Sequence, residues 1–189
     1  MRDFEDYCWR DLVDDEVRTI YSPYVRERGV GRRPALLAVH PGTAHSGEAW
    51  QSPAARLLGR ARSLGLPVLH SVPPGASPER ALAPAEGEAL CTRPCESAFF
   101  SSDLERALRL RGTGSLIVCG APSSGALRAT AVEAKSCGYK VAIAEETVGD
   151  ESSFLHRIAL FDVAHKYADL MTLDELLAAL AGAVEPAAA

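Results

Sequence analysis

Val118-Cys119-Gly120-Ala121-Pro122-Ser123-Ser124-Gly125-Ala126-Leu127-Arg128-Ala129-Thr130-Ala131 is the stretch that decides how this chain reads. An apolar run ends at a glycine, a turn of small residues follows, and then come residues suited to a helix. The first N–H groups of a helix have no partner inside it. A strand that feeds a helix through such a turn therefore aims donors at whatever lies beyond the strand end. The turn residues Pro122, Ser123, Ser124, Gly125 and Ala126 are the candidate backbone site for an oxyanion or a ligand.

Outward from this turn the chain alternates strand-sized and helix-sized segments. Strands are predicted over residues 35–39, 67–70, 89–92, 115–119, 140–144 and 168–171. Helices are predicted over 52–64, 102–110, 124–137, 154–163 and 172–180. Gly65 and Gly138 stand where glycine ends helices. Ser102, Ser123 or Ser124, and Thr172 or Asp174 are candidate N-caps. Residues 72–87 hold Pro73, Pro74, Gly75, Pro78 and Pro84 and read as loop. The alternation implies βαβ units with right-handed crossovers. The fold class is α/β, a three-layer α/β/α sandwich with a mostly parallel, doubly wound sheet. Such sheets bind ligands beyond the carboxyl ends of their strands, at the switch point, which directs attention to residues 40–42 and 120–126.

Residues 1–33 form an expected N-terminal helical arm, in which Phe4, Tyr7, Trp9, Val13, Val17, Ile20 and Tyr21 recur at near-helical spacing. It is expected to pack on the domain or on a neighbouring subunit. Residues 34–182 are the α/β domain, and 183–189 an Ala-rich flexible tail. At 189 residues, 47% hydrophobic and 24% charged, the chain suits one domain with a sizeable core. A net charge of −5 without a basic stripe argues against nucleic acid as partner. The apolar runs are too short for a membrane span, and the acidic start is unlike a secretory signal. Five cysteines without a CxxC fit reduced thiols, and the expected location is cytoplasmic.

Several ordered segments carry a resemblance that spans about residues 16–177. They are Tyr24-Val25-Arg26-Glu27-Arg28-Gly29-Val30-Gly31, Pro34-Ala35-Leu36-Leu37-Ala38-Val39, and Ser97-Ala98-Phe99-Phe100 with Asp103-Leu104. The turn above, Gly149-Asp150, His156, Leu160-Phe161-Asp162 and Lys166-Tyr167-Ala168-Asp169 complete the set. Together they resemble the isochorismatase-like superfamily of cysteine hydrolases, closest to its N-carbamoylsarcosine amidohydrolase branch. The resemblance implies a catalytic triad of an aspartate after the first strand, a lysine before the SAF element, and a cysteine that attacks a carbonyl carbon bonded to nitrogen. Position by position, this chain has His40 for the aspartate, Arg93 for the lysine and Ala126 for the cysteine. The family also carries a cis peptide in the turn, which here falls on Ala121–Pro122 and is predicted cis. Residues 71–90 are short beside the family's lid segment.

A methyl group at 126 closes the thioester route. Arg93 holds its charge at all working pH values, so it suits an anion and cannot shuttle protons. His40 can serve as acid or base. The turn's backbone donors do not depend on the side chain at 126. The leading expectation is a repurposed enzyme, acting on a small carbonyl- or carboxylate-bearing ligand without covalent catalysis, in specialised metabolism. His40 is then the acid–base group and Arg93 the anion clamp. The alternatives are a pseudoenzyme serving as binding or partner subunit, or an amidohydrolase with an engineered Cys-to-Ala change at 126. For Arg93 the bland role is a structural ion pair with Glu96, Glu133 or another acid.

Other residues carry weaker cases. His40 and His45 alone make an incomplete metal set, so no metal and no cofactor is expected. Cys95 beside Arg93, and Ser123 or Ser124, are substitute nucleophiles of low promise. Cys119 and Cys137 read as packing, His156 and Lys166 as framework. Tyr7, Trp9 and Tyr21 suit subunit packing more than a ligand cap. The expected assembly is a homo-oligomer, dimer or tetramer.

Overall fold

Six apolar runs line up in one fully parallel sheet of order β3-β2-β1-β4-β5-β6 in a computed structural model that describes residues 7–21, 28–42 and 48–183. The strands are β1 (Pro34–Val39), β2 (Val68–Val72), β3 (Ala89–Thr92), β4 (Ser115–Gly120), β5 (Lys140–Ala144) and β6 (Asp169–Met171). Between and around them run α1 (Asp15–Tyr21), α2 (Gln51–Ser63), α3 (Leu104–Leu110), α4 (Arg128–Ser136), α5 (Ser153–Lys166) and α6 (Leu173–Ala183). Every residue of β1, β2 and β4 is buried, which is why these runs are mostly apolar, with His70, Ser71 and Ser115 as buried polar exceptions.

Alternation along the strands divides the core in two. Leu37, Val39, Leu69 and Val118 face one layer, with Leu104 and Leu108 of α3, Ala131 of α4 and Leu160 of α5. Leu36, Ala38, Val68 and Ile117 face the other, with Leu57 and Leu58 of α2 and Leu176 and Leu180 of α6. The predicted α/β/α sandwich is therefore the observed one. The order reverses direction between β1 and β4, so their carboxyl ends form the switch point.

Several local expectations shift. β2 continues two residues further, to Val72, because its backbone pairs with β3. Helix α3 begins at Leu104, and the Ser102 hydroxyl accepts the Leu104 N–H at 3.2 Å from just outside it. Thr172 and Glu175 form a reciprocal capping box: the Glu175 N–H reaches Thr172 Oγ1 at 3.1 Å and the Thr172 N–H reaches Glu175 Oε2 at 2.7 Å.

The arm is not one amphipathic helix. Turns over residues 7–12 precede the short α1, which buries none of its own residues. Tyr7 and Trp9 in those turns are 4% and 2% exposed. Trp9 meets Phe161 and His165 of α5, and Arg157 of α5 donates to the Cys8 carbonyl and pairs with Asp11. Tyr21 also packs on Phe161 and His165. Among the described residues, Trp9 and Tyr21 of the arm thus lie on α5 of their own domain. Residues 1–6, 22–27, 43–47 and 184–189 lie outside the described residues, among them the first part of the arm and the tail expected to be flexible.

Candidate functional site at the carboxyl ends of β1 and β4

Gly120 ends β4 with φ +117°, and a Cβ there would lie 1.9 Å from the Val39 carbonyl oxygen. Only glycine fits so close to β1 at that backbone angle. The same carbonyl accepts the Ala121 N–H at 3.1 Å, and Ala121–Pro122 is cis, as predicted. The chain then deviates from the expected helix start. Residues Ser123–Leu127 form a wide π-type turn, closed by Leu127 N–H to Pro122 O at 3.1 Å and kinked at Gly125. Regular helix begins only at Arg128.

The two serines do not cap the helix. The Ser123 N–H goes to Gly149 O at 2.7 Å. The Ser124 N–H and hydroxyl both go to Asp150 Oδ2, at 2.8 and 2.7 Å. Burial alone would raise the Asp150 carboxyl, but these bonds, with those of Ser152 N–H and the Ser123 hydroxyl, hold it below its ordinary value. The Ser123 hydroxyl also lies 3.0 Å from His156 Nδ1 and is fully buried, so it ties the turn to α5 and is closed to a substrate. Ala126 is buried with the core layer of Val118.

His40 follows β1, is fully buried, and has both ring nitrogens engaged. The Glu79 N–H donates to its Nδ1 at 2.8 Å. That fixes the tautomer: Nε2 carries the proton and donates to His70 Nδ1 at 3.0 Å. His70 in turn donates from Nε2 to Glu88 Oε2 at 2.9 Å. Arg62 holds the same carboxylate through Nε and a terminal nitrogen, both at 2.8 Å. Every group in this line is satisfied in one polarity. Burial first, then the neighbouring His70 and Arg93, push His40 down to about 3, so it is neutral throughout the physiological range. The hydrogen bond from Arg62 is the main cause that brings Glu88 down to about 2.

Arg93 is 4% exposed and faces inward. Its guanidinium donates to Ser71 O at 2.8 Å and to His40 O at 2.7 Å, while its own N–H bonds Val72 O at 2.8 Å. It thus clasps the carboxyl ends of β1 and β2 instead of an acid. Among carboxylates, Glu96 exerts the main field on it. Glu96 itself is exposed, and a Cβ placed on Gly125 would meet its Oε2 at 2.9 Å.

The structure therefore gathers Arg93, the backbone of His40 and the turn 122–126 at one sheet edge, but turns the His40 ring to the α2 side, away from Ala126. Cys119 is fully buried and its thiol is pushed up to about 12 by burial, in keeping with packing. Cys95 and Cys137 are exposed. His45 lies outside the described residues. Among the described residues no cluster of His, Cys, Asp or Glu suits a metal, and no helix is long and apolar enough to cross a membrane. Sequence reasoning missed His70, Glu88 and Arg62 as neighbours of the site, whereas Glu96 was named as a neighbour of Arg93. One signal was present: His40 and His70 both stand at the ends of neighbouring apolar strands.

A doubly wound parallel sheet, with a glycine-ended β4 and a cis X-Pro turn at its switch point, defines a three-layer α/β protein with its candidate site at the carboxyl edge. The isochorismatase domain matches residues 39–175, and the chain belongs to the isochorismatase family. It is similar to the maleamate amidohydrolase of Pseudomonas putida, 35% identical over 97 residues, or 51% of this chain and 46% of that protein. It is also similar to the N-carbamoylsarcosine amidase of an Arthrobacter species, 32% identical over 96 residues, or 51% of this chain and 36% of that one. The matched stretch thus spans less than half the length of either relative. Among solved structures, a cysteine hydrolase from Pseudomonas syringae pv. phaseolicola superposes with a TM-score of 0.75 at 18% identity, over 84% of this chain and all of that one, a likeness of fold.

Proposed function

We propose that this chain is a small-molecule-binding member of the family, of the N-carbamoylsarcosine amidohydrolase branch, that performs no covalent catalysis and serves as a binding or partner subunit. All three positions that match the family's triad are substituted: His40, Arg93 and Ala126. The observation that carries the reading is the His40 ring. Both of its nitrogens are spent on Glu79 N–H and His70, and burial holds it neutral, so no lone pair or proton faces Ala126. Arg93 supports the same reading, since its donors go to strand carbonyls. What remains for a ligand is the turn, where Pro122, Ser124 and Gly125 are half-buried at the surface and the amides of Gly125 and Ala126 are the donors we assign to it.

A second reading has one observation in its favour. His40, His70 and Glu88 form a continuous hydrogen-bonded line, the form a proton path would take for a repurposed, non-covalent enzyme. It requires His40 Nδ1 to release the Glu79 N–H.

Ammonia release from maleamate and from N-carbamoylsarcosine tests the proposal, in the natural chain and in Ala126→Cys. The expected result is none from either protein. Ammonia from the natural chain would refute the non-covalent reading. Ammonia from Ala126→Cys alone would leave the Ala126 chain without covalent catalysis but would refute the claim that the spent His40 ring has disabled the rest of the site.

A further inference from the structure

We propose that the cavity where α4 and α5 end and β5 and β6 begin is a second ligand site, which takes a compact aromatic carboxylate with Lys135 and Lys140 as its cationic partners. It lies at the amino edge of the sheet, the length of β4, about 20 Å, from the turn that follows that strand. It therefore stands apart from the reading of the turn, and no compact ligand touches both.

The cavity holds about 310 Å³, at the lower end of the range for small-molecule sites. Lys135 in the last turn of α4, Lys140 opening β5 and Asp169 opening β6 line it together with Gly138, Tyr139 and Tyr167. Two ammonium groups against one carboxylate give this lining a charge of +1 in a chain whose net charge is −5. The carboxylate is already occupied. Asp169 is buried, and its Oδ2 accepts the Gly29 N–H at 3.2 Å and pairs with Lys140 Nζ at 3.3 Å. Lys140 is 46% exposed in its side chain, and an ammonium group has three donors, so it can hold Asp169 and a ligand at once. Lys135 is exposed and makes no ion pair or side-chain hydrogen bond among the described residues.

Cations at the end of a helix ordinarily answer its free carbonyls. Here the chain answers them with its own amides. The Cys137 N–H goes to Glu133 O at 2.8 Å, the Tyr139 N–H to Ala134 O at 3.0 Å and the Gly138 N–H to Lys135 O at 3.1 Å. At the end of α5 the amides of Tyr167 and Ala168 both go to Val163 O at 2.9 Å. The lysine donors are thus left for an acceptor from outside. A carboxylate is that acceptor, since charge-assisted hydrogen bonds from two ammonium groups can meet on its two oxygens. Tyrosines from two different elements, Tyr139 after α4 and Tyr167 after α5, line the same space and suit a flat ring. A Cβ on Gly138 would meet nothing within 4 Å, so the cavity stays open beside that residue.

Benzoate, benzamide and benzylammonium are the probes, alike in ring and size and different in charge. The readout is the amide shifts of Gly138, Tyr139 and Lys140 in the isotope-labelled chain, titrated at fixed ionic strength. Benzoate is expected to move these signals saturably, benzamide to bind at least tenfold more weakly, and benzylammonium to leave them. Lys135→Gln should weaken benzoate about tenfold, the equivalent of one charge-assisted hydrogen bond, and Lys135→Arg should restore it. Lys140→Gln should weaken it as well, with the fold checked by the unchanged spread of the remaining signals. A purely structural role for the lysines would shift the unfolding midpoint and leave benzoate affinity alone, which would overturn the proposal. Equal affinity for benzamide or benzylammonium would overturn it too, and so would silence from benzoate. The ammonia assay reads the turn and is indifferent to each of these outcomes.

Discussion

Lowering the pH should destabilise this protein well above the range in which its carboxylates titrate, and His40 should be the main cause. In the unfolded chain the ring takes up a proton as pH falls through its ordinary value of 6.5. The buried ring does not until about 3. Between these values the unfolded state holds more protons than the folded one, so stability rises with pH across the window and is lost on acidification. From about pH 7 to about pH 4.5 the loss from this one group is about 2.5 kcal/mol, taking 1.36 kcal/mol per pH unit over most of two units. His70 acts in the same direction, since burial outweighs the pull of Glu88 and lowers it too. Glu88 works lower down. Its stabilisation is present above its ordinary value of 4.5 and is lost only as pH falls toward about 2. Urea unfolding at about pH 7 and about pH 4.5 measures the slope, and His40→Asn isolates its source. The asparagine carbonyl can still accept the Glu79 N–H and cannot titrate. The variant should start less stable and lose about 2.5 kcal/mol less over the window. Parallel loss in the two proteins would refute the assignment of the acid sensitivity to a neutral, buried His40.

Two further substitutions test how the site is built. Gly120→Ala forces a Cβ to within 1.9 Å of the Val39 carbonyl oxygen at φ +117°, and should lose about 3 kcal/mol or more by chemical denaturation. An unchanged midpoint would mean that β1 and β4 separate readily at their ends. Thr172→Ala removes one half of the capping box on α6 and should lower stability by about 1 kcal/mol. A larger loss would show that this helix start is coupled to the sheet beyond its own cap.

The layered fold was legible because parallel strands buried on both faces leave mostly apolar runs, as in β1 and β5, while the edge strand β3, with only Cys91 buried, appears where its short run does. Glycines at 65 and 138 marked true helix ends, with φ of +66° and +90°. The turn after β4 was legible as a site but not as a shape. Nothing local in Ser123-Ser124-Gly125 announces that Gly149 and Asp150, some 26 residues on, will draw off the serine amides and delay the helix to Arg128. The same holds for Arg93. Its charge could be read from sequence, whereas its direction depends on which strand ends lie within reach once β1, β2 and β3 are side by side. His40 was identifiable as the residue after the first strand. Its partner depends on strand register, which puts His70 opposite Ala38, and on a loop that returns Glu79 to the sheet edge.

Arg93 has a mechanical consequence. One side chain and one amide fasten the ends of β1, β2 and β3 to one another, through His40 O, Ser71 O and Val72 O. That half of the sheet's rim is riveted, and the Glu79 and Glu88 bonds bolt the loop above it to the same plate. The other half is fastened without a buried side-chain clasp, by the backbone bonds Ala121 N–H to Val39 O and Gly149 N–H to Gly120 O and by the serine and Asp150 bonds of the turn. Amides of the riveted half should exchange with solvent last, and whatever breathing admits a ligand should occur like a door whose hinge is β1 and whose free edge is the turn after β4.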